Sequence, residues 1–257
     1  MIEFFTGWWQ YSFMRSAFLA VMIITPLFGI LGTMIVNRKM AFFSDALGHS
    51  ALTGIAVGVV LGVTDTNLSM VIFAIIFALL LNKISSKSTA STDTIISVFS
   101  SCSVAIGLAI LSKGGNFSKY SSLLVGDILS ITHREIVYLV LIFAVTLVFW
   151  FFAFNKLNAV SMHRTLAILI ALIVMLSIKW VGILIINALL ILPAASSRNL
   201  AVNLREYHFF AVLFSMFSGI LGLIISYFTN VATGPMIIIV ASLIYFITFA
   251  YQKVIHG

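Results

Sequence analysis

Asp45 and His49 stand four residues apart in the stretch Ser44-Asp45-Ala46-Leu47-Gly48-His49-Ser50, inside a segment that is otherwise apolar and glycine-rich. On a helix this spacing puts both side chains on one face, close enough to share a proton, a hydrogen bond or a metal ion. Ionisable groups are costly in a bilayer core, so they face an aqueous path or a partner. Asp45 offers a hard oxygen and His49 a borderline nitrogen, a pair better suited to Mn²⁺, Fe²⁺ or Zn²⁺ than to Ca²⁺ or a thiolate-selected Cu⁺. Two ligands hold an ion weakly. That suits a permeation path, where the ion must leave as readily as it entered. Water, backbone carbonyls or a second copy of the chain would supply the remaining coordination. From the pair alone, a proton relay and a structural hydrogen bond stay open.

Other polar residues offer less. Asp127, after Gly126, is placed to cap a helix or to lie along a vestibule. His133, Arg134 and Glu135 read as a solvated charge cluster at a helix start. Asn187 and Pro193 interrupt a late apolar run and are expected to kink it, as Pro26 and Pro235 are elsewhere. Cys102, the single cysteine, is expected to be a buried packing residue. The metalloprotease, nucleophile-elbow and phosphate-loop motifs are absent, so the chain carries no phosphate-loop ATPase of its own.

The elements that must position Asp45 and His49 are membrane helices. Hydrophobic residues make up 62% of the 257-residue chain and charged ones only 8%, and apolar runs recur from end to end, which excludes a soluble fold. The fold class is therefore all-α, a polytopic transmembrane bundle of about eight or nine spans in one domain, residues 1–257. Polar and turn residues delimit the runs at about 13–36, 41–62, 67–82, 93–112, 135–154, 165–180, 181–197, 209–229 and 234–252. The sixth and seventh meet at Lys179-Trp180-Val181-Gly182, as two tight spans or as one span and a broken one. The N-terminal residues show no cleavage site, so the first run is expected to be a retained helix.

A net charge of +7 does not imply nucleic acid here, because the 14 Lys and Arg are scattered at the ends of apolar runs. They orient helices instead. With the N-terminus outside and nine spans, Arg38, Lys39, Lys83, Lys87, Lys156, Arg164, Arg198, Arg205 and Lys253 fall inside, which is nine of the 14. Between spans, 112–135 is long and contains an apolar piece too short to cross, read as a re-entrant or interfacial helix. The connection 83–93 is a solvated loop with hydroxyl caps for the next helix. In the second run Gly54, Gly58 and Gly62 recur at four-residue intervals, a surface on which another helix can approach closely.

Three stretches together resemble the membrane permease subunit of the bacterial ABC transporters that import zinc, manganese or iron. The first runs from Asn37 to Gly58 and holds the basic pair Arg38-Lys39, then Met40, then Asp45-Ala46-Leu47-Gly48-His49. The second is Leu123-Leu124-Val125-Gly126-Asp127-Ile128-Leu129. The third is Val181-Gly182 followed by Ala188-Leu189-Leu190-Ile191-Leu192-Pro193-Ala194-Ala195. The resemblance implies a multi-pass permease of the bacterial plasma membrane, embedded in lipid, that is a transport subunit and not an enzyme. It implies a homodimer of this subunit, a cytoplasmic ABC ATPase dimer and an extracytoplasmic metal-binding protein. It also implies that Asp45 and His49 line the path of a transported divalent metal, with no tightly bound cofactor. Where the family carries a longer cytoplasmic helix that docks on the ATPase, this chain has a short connection at 155–164. Coupling is expected around Leu157, Met162 and Arg164. The alternative is a secondary transporter or channel without an ATPase.

Overall fold

In a computed structural model, residues 7–37, 40–63, 65–85, 91–113, 126–153 and 162–256 are described. Among them, nine α-helices follow one another: α1 (Ser12–Asn37), α2 (Ala41–Val60), α3 (Thr66–Ser85), α4 (Thr92–Lys113), α5 (His133–Ala153), α6 (Met162–Val181), α7 (Ile183–Leu200), α8 (Leu204–Thr229) and α9 (Thr233–His256). Short 3-10 turns lie at Gly7–Gln10 and Ile128–Ser130. Each of the nine apolar runs of the sequence forms one helix. Six helices (α1, α2, α4, α7, α8 and α9) are long and apolar enough to cross a membrane by length and composition, whereas the apolar parts of α3 and α6 are shorter, Thr66–Leu81 and Ile168–Ile178. The fold is all-α, a polytopic membrane bundle.

Two helices organise the bundle. α1 is apolar on all sides and buried through most of its length, as a helix surrounded by others must be. It packs against α5, α7, α8 and the Ile128–Ser130 turn. α2 packs against α3, α4, α6 and α7. Lipid is as apolar as leucine, so what draws such helices together is close backbone approach and buried hydrogen bonds. Gly32 of α1 lies against the Leu190 carbonyl of α7, where any side chain would collide. Between α1 and α8, Ser215 donates its hydroxyl to the Thr25 carbonyl at 2.7 Å. α4 and α9 keep most of their apolar surface exposed.

α6 and α7 are separated by a single residue, Gly182, whose φ of 84° is in the region that favours glycine. They touch each other only slightly and diverge from this hinge, α6 toward α3 and α7 toward α1, α8 and α9. Asn37 of α1 and Arg198 of α7 line one cleft, so the two helices run in the same direction. Counting back from the Gly32–Leu190 contact, Gly182 lies level with the middle of α1. The sixth and seventh runs are therefore two helices, and the turn joining them lies deep within the bundle. A discontinuity at that depth is tolerated where protein covers the backbone.

Some local expectations hold. Ser91 accepts a hydrogen bond from the Thr94 N–H at the start of α4, as the loop chemistry implied. Glu135 is more than a solvated charge: it accepts from the N–H and the hydroxyl of Thr132, the glutamate half of a capping box at the start of α5. Cys102, expected to be buried, is exposed on the outer side of α4.

Candidate metal centre

α2 is held at its middle and far end on two sides. Thr53 donates its hydroxyl to the Ser103 carbonyl of α4, and Ser103 returns its own hydroxyl to Thr53 at 3.1 Å. On another side Gly54 and Gly58 face α3: a Cβ at Gly54 would stand 3.0 Å from Phe73 Cβ, and one at Gly58 would collide with Ser69. Both glycines are packing residues, as their spacing suggested. Gly62 is not. It ends the helix with φ 72°, no described residue crowds it, and the hydrogen bonds Gly62 N–H to Val59 carbonyl and Val63 N–H to Gly58 carbonyl close a Schellman turn. These contacts clamp the α2 backbone and so fix the direction in which Asp45 and His49 project.

Asp45 and His49 meet as their spacing requires, with His49 Nε2 3.5 Å from Asp45 Oδ1. Neither is enclosed: the Asp45 side chain is 47% exposed and that of His49 35%, so the pair opens at the surface of this chain. On its inner side it is closed by α7. The Asn187 side-chain amide donates to Asp45 Oδ1 at 2.7 Å, and Asn187 is itself buried. Gly48 makes this approach possible, because a Cβ there would stand 2.9 Å from Ile183 Cγ2 and 3.3 Å from Asn187 Nδ2. Asn187 is thus a partner of Asp45 as well as a residue of α7. α7 is continuous through it and through Pro193, where the ring leaves the Leu189 carbonyl without its helical donor. An asparagine in an apolar run was the signal in the sequence, and only the packing of α7 on α2 shows what it bonds.

The second and third family-like stretches also come together. Gly126, with φ 73°, packs directly on the Val181–Gly182 backbone, leaving no room for a side chain. This wedge braces the α6–α7 hinge one turn before Asn187. Asp127 starts the Ile128–Ser130 turn, but its carboxylate makes no capping hydrogen bond and is exposed; the carbonyl of Asp127 accepts from Ser130 instead. Its expected capping role is not realised, because a single 3-10 turn closes on the main chain. Of the coupling candidates, Leu157 lies outside the described residues, and Met162 and Arg164 are placed only by backbone in the first turn of α6. Among the described residues no group of three or more His, Cys, Asp or Glu is placed to hold a metal.

A sequence model of the ABC 3 transport family matches residues 10–252. The chain belongs to the ABC 3 transport family. It is 30% identical over 252 residues to the high-affinity zinc uptake system membrane protein ZnuB of Haemophilus influenzae, covering 92% of this chain and 96% of that one. It is 28% identical over 263 residues to the manganese transport system membrane protein MntC of Listeria monocytogenes, covering 96% and 94%. Its fold matches the solved structure of PsaBC from Streptococcus pneumoniae in complex with Fab, with a TM-score of 0.82, 26% identity and coverage of 97% of this chain and 95% of that one. The chain is therefore a permease subunit of the metal-type ABC importers, a multi-pass protein of the bacterial inner membrane and a transport subunit by family. Family membership implies a transported divalent metal and partners that bind substrate and ATP.

Proposed function

We propose that this permease forms the translocation path of an ATP-driven importer of a divalent transition metal, Zn²⁺, Mn²⁺ or Fe²⁺. The observation that carries the reading is the Asp45–His49 pair, one carboxylate and one imidazole 3.5 Å apart on a clamped helix and open at the surface of the chain. The metal is the cargo. The carboxylate and the neutral imidazole ligate it reversibly, and the weakness of two ligands lets it move on. Because the pair opens outward, a second copy of the chain would close the other side of the path, and the homodimer belongs to this reading. Binding and hydrolysis of ATP on a cytoplasmic ATPase dimer would shift the two copies between outward and inward states. An extracytoplasmic binding protein would deliver the ion.

The relatives named for zinc and for manganese are similar at 30% and 28% identity, so similarity favours neither metal. A carboxylate and an imidazole accept zinc, manganese and iron alike. The shortness of the 155–164 connection favours a second reading, an ATPase-independent secondary transporter or channel.

Reconstitution separates the two. The permease, purified with its partners in proteoliposomes, is expected to take up metal only with ATP inside the accessible compartment, and Asp45→Asn and His49→Ala are expected to lower uptake while the complex still assembles. Wild-type uptake by both variants would sink the site. Uptake without ATP or a bound ATPase would select the second reading.

A further inference from the structure

Among the described residues the pair has no third donor of the usual metal-binding types, yet one polar side chain lies directly against it. Asn187 is buried to 9% exposure, its Nδ2 donates to Asp45 Oδ1 at 2.7 Å, and its Oδ1 is a buried acceptor with no hydrogen-bond partner among the described residues. A carbonyl oxygen left unpaired in an apolar setting carries a penalty of about 1–3 kcal/mol, so it calls for an explanation. Both ends of the amide lie over Gly48, with Nδ2 3.3 Å and Oδ1 3.4 Å from where a Cβ would be. The two atoms are nearly the same size, so the amide can exchange them by rotating in place, without moving α7.

We propose that Asn187 is a third, reversible donor of the metal station. In one orientation its N–H holds the Asp45 carboxylate in position. In the other, its Oδ1 replaces that N–H beside Asp45 and offers a hard oxygen to the cation that Asp45 and His49 bind. The reversal fits the chemistry on both sides, since an N–H repels a cation and a carbonyl oxygen attracts it. Asn187 sits one turn beyond the Gly182 hinge, so the orientation of its amide links the occupancy of the station to the place where α6 and α7 diverge. This inference rests on the assignment of Asp45 and His49 as metal ligands.

The test uses the full chain in lipid nanodiscs, with Mn²⁺ binding read from the electron paramagnetic resonance of the free ion and Co²⁺ binding from its visible absorption. Asn187→Ala is expected to weaken Mn²⁺ binding by about tenfold or more and to change the Co²⁺ spectrum. Asn187→Asp keeps an oxygen and loses the N–H, so it is expected to bind Mn²⁺ at least as tightly as wild type. A purely structural asparagine would not be rescued in this way. If Asn187→Ala binds with wild-type affinity and spectrum while Asp45→Asn does not bind, the third donor is wrong and the pair stands. Loss of binding in Asn187→Asp by a monodisperse protein likewise overturns the donor role. If Asp45→Asn and His49→Ala both bind as wild type, the underlying site assignment fails instead.

Discussion

Substituting Gly48 by alanine tests whether the contact between α2 and α7 sets the geometry of the site. Carbon atoms in contact sit about 3.5–4.0 Å apart, and the new Cβ would stand 2.9 Å from Ile183 Cγ2, so one helix must retreat by roughly 0.6–1.1 Å. Ile183 is fully buried and cannot swing aside. α2 is clamped by α3 and α4, so the displacement falls mainly on α7. The 2.7 Å bond from Asn187 to Asp45 would then stretch to about 3.3 Å or more, past the range of an N–H to oxygen hydrogen bond. Overpacking costs about 1–3 kcal/mol. Replacing a mid-helix glycine by alanine returns roughly 0.5–1 kcal/mol. The net cost, about 0–2.5 kcal/mol from these two ranges, leaves the complex assembled. Loss of a partner that orients a ligand typically lowers metal affinity by about 10–100-fold. Metal uptake below saturation, normalised to assembled complex in proteoliposomes, is therefore expected to fall by about tenfold or more. Gly54→Ala is the control, because its Cβ would meet Phe73 and Met70 at 3.0 and 3.1 Å, on the side of α3 and away from Asn187. Unchanged uptake by Gly48→Ala, or an equal loss in Gly54→Ala, would refute the reasoning.

Two further perturbations address the hinge and the coupling segment. Gly126→Ala places a Cβ against the Val181–Gly182 backbone at a φ that costs an L-residue roughly 1–2 kcal/mol, so the yield of monodisperse protein on size exclusion should drop several-fold, and a wild-type yield would show the wedge to be dispensable. Introducing charged residues across 157–164 should lower metal-stimulated ATPase activity while binding of metal to the permease persists, and unchanged activity would place the coupling contact elsewhere.

Much of the architecture was legible in the sequence because lipid imposes a simple code: a backbone that must satisfy its own hydrogen bonds forms helices, and apolar length reports them. The nine helices among the described residues lie where the apolar runs do, and the four-residue spacing of Asp45 and His49 places them together because helix geometry is local. The close packing at Gly54 and Gly58 and the family membership followed from the same local patterns. Position in space did not. Gly62 repeats the spacing of Gly54 and Gly58, yet it lies beyond the last helical turn and ends the helix. Asn187 and Pro193 look alike as helix breakers in an apolar run. Only the proline removes a backbone donor, whereas the asparagine becomes a partner of Asp45 once Gly48 lets α7 come close. Nothing local to residue 187 records a neighbour 142 positions away. Likewise Gly126 and Gly182 lie in separate stretches of the sequence, and only the fold stacks one on the other. The sequence by itself determined the helices, the membrane and the meeting of Asp45 with His49, because each depends on neighbours within a turn or two. The tertiary structure decided which helix closes the site and where the hinge lies, because those depend on which surfaces lack a Cβ when distant segments meet.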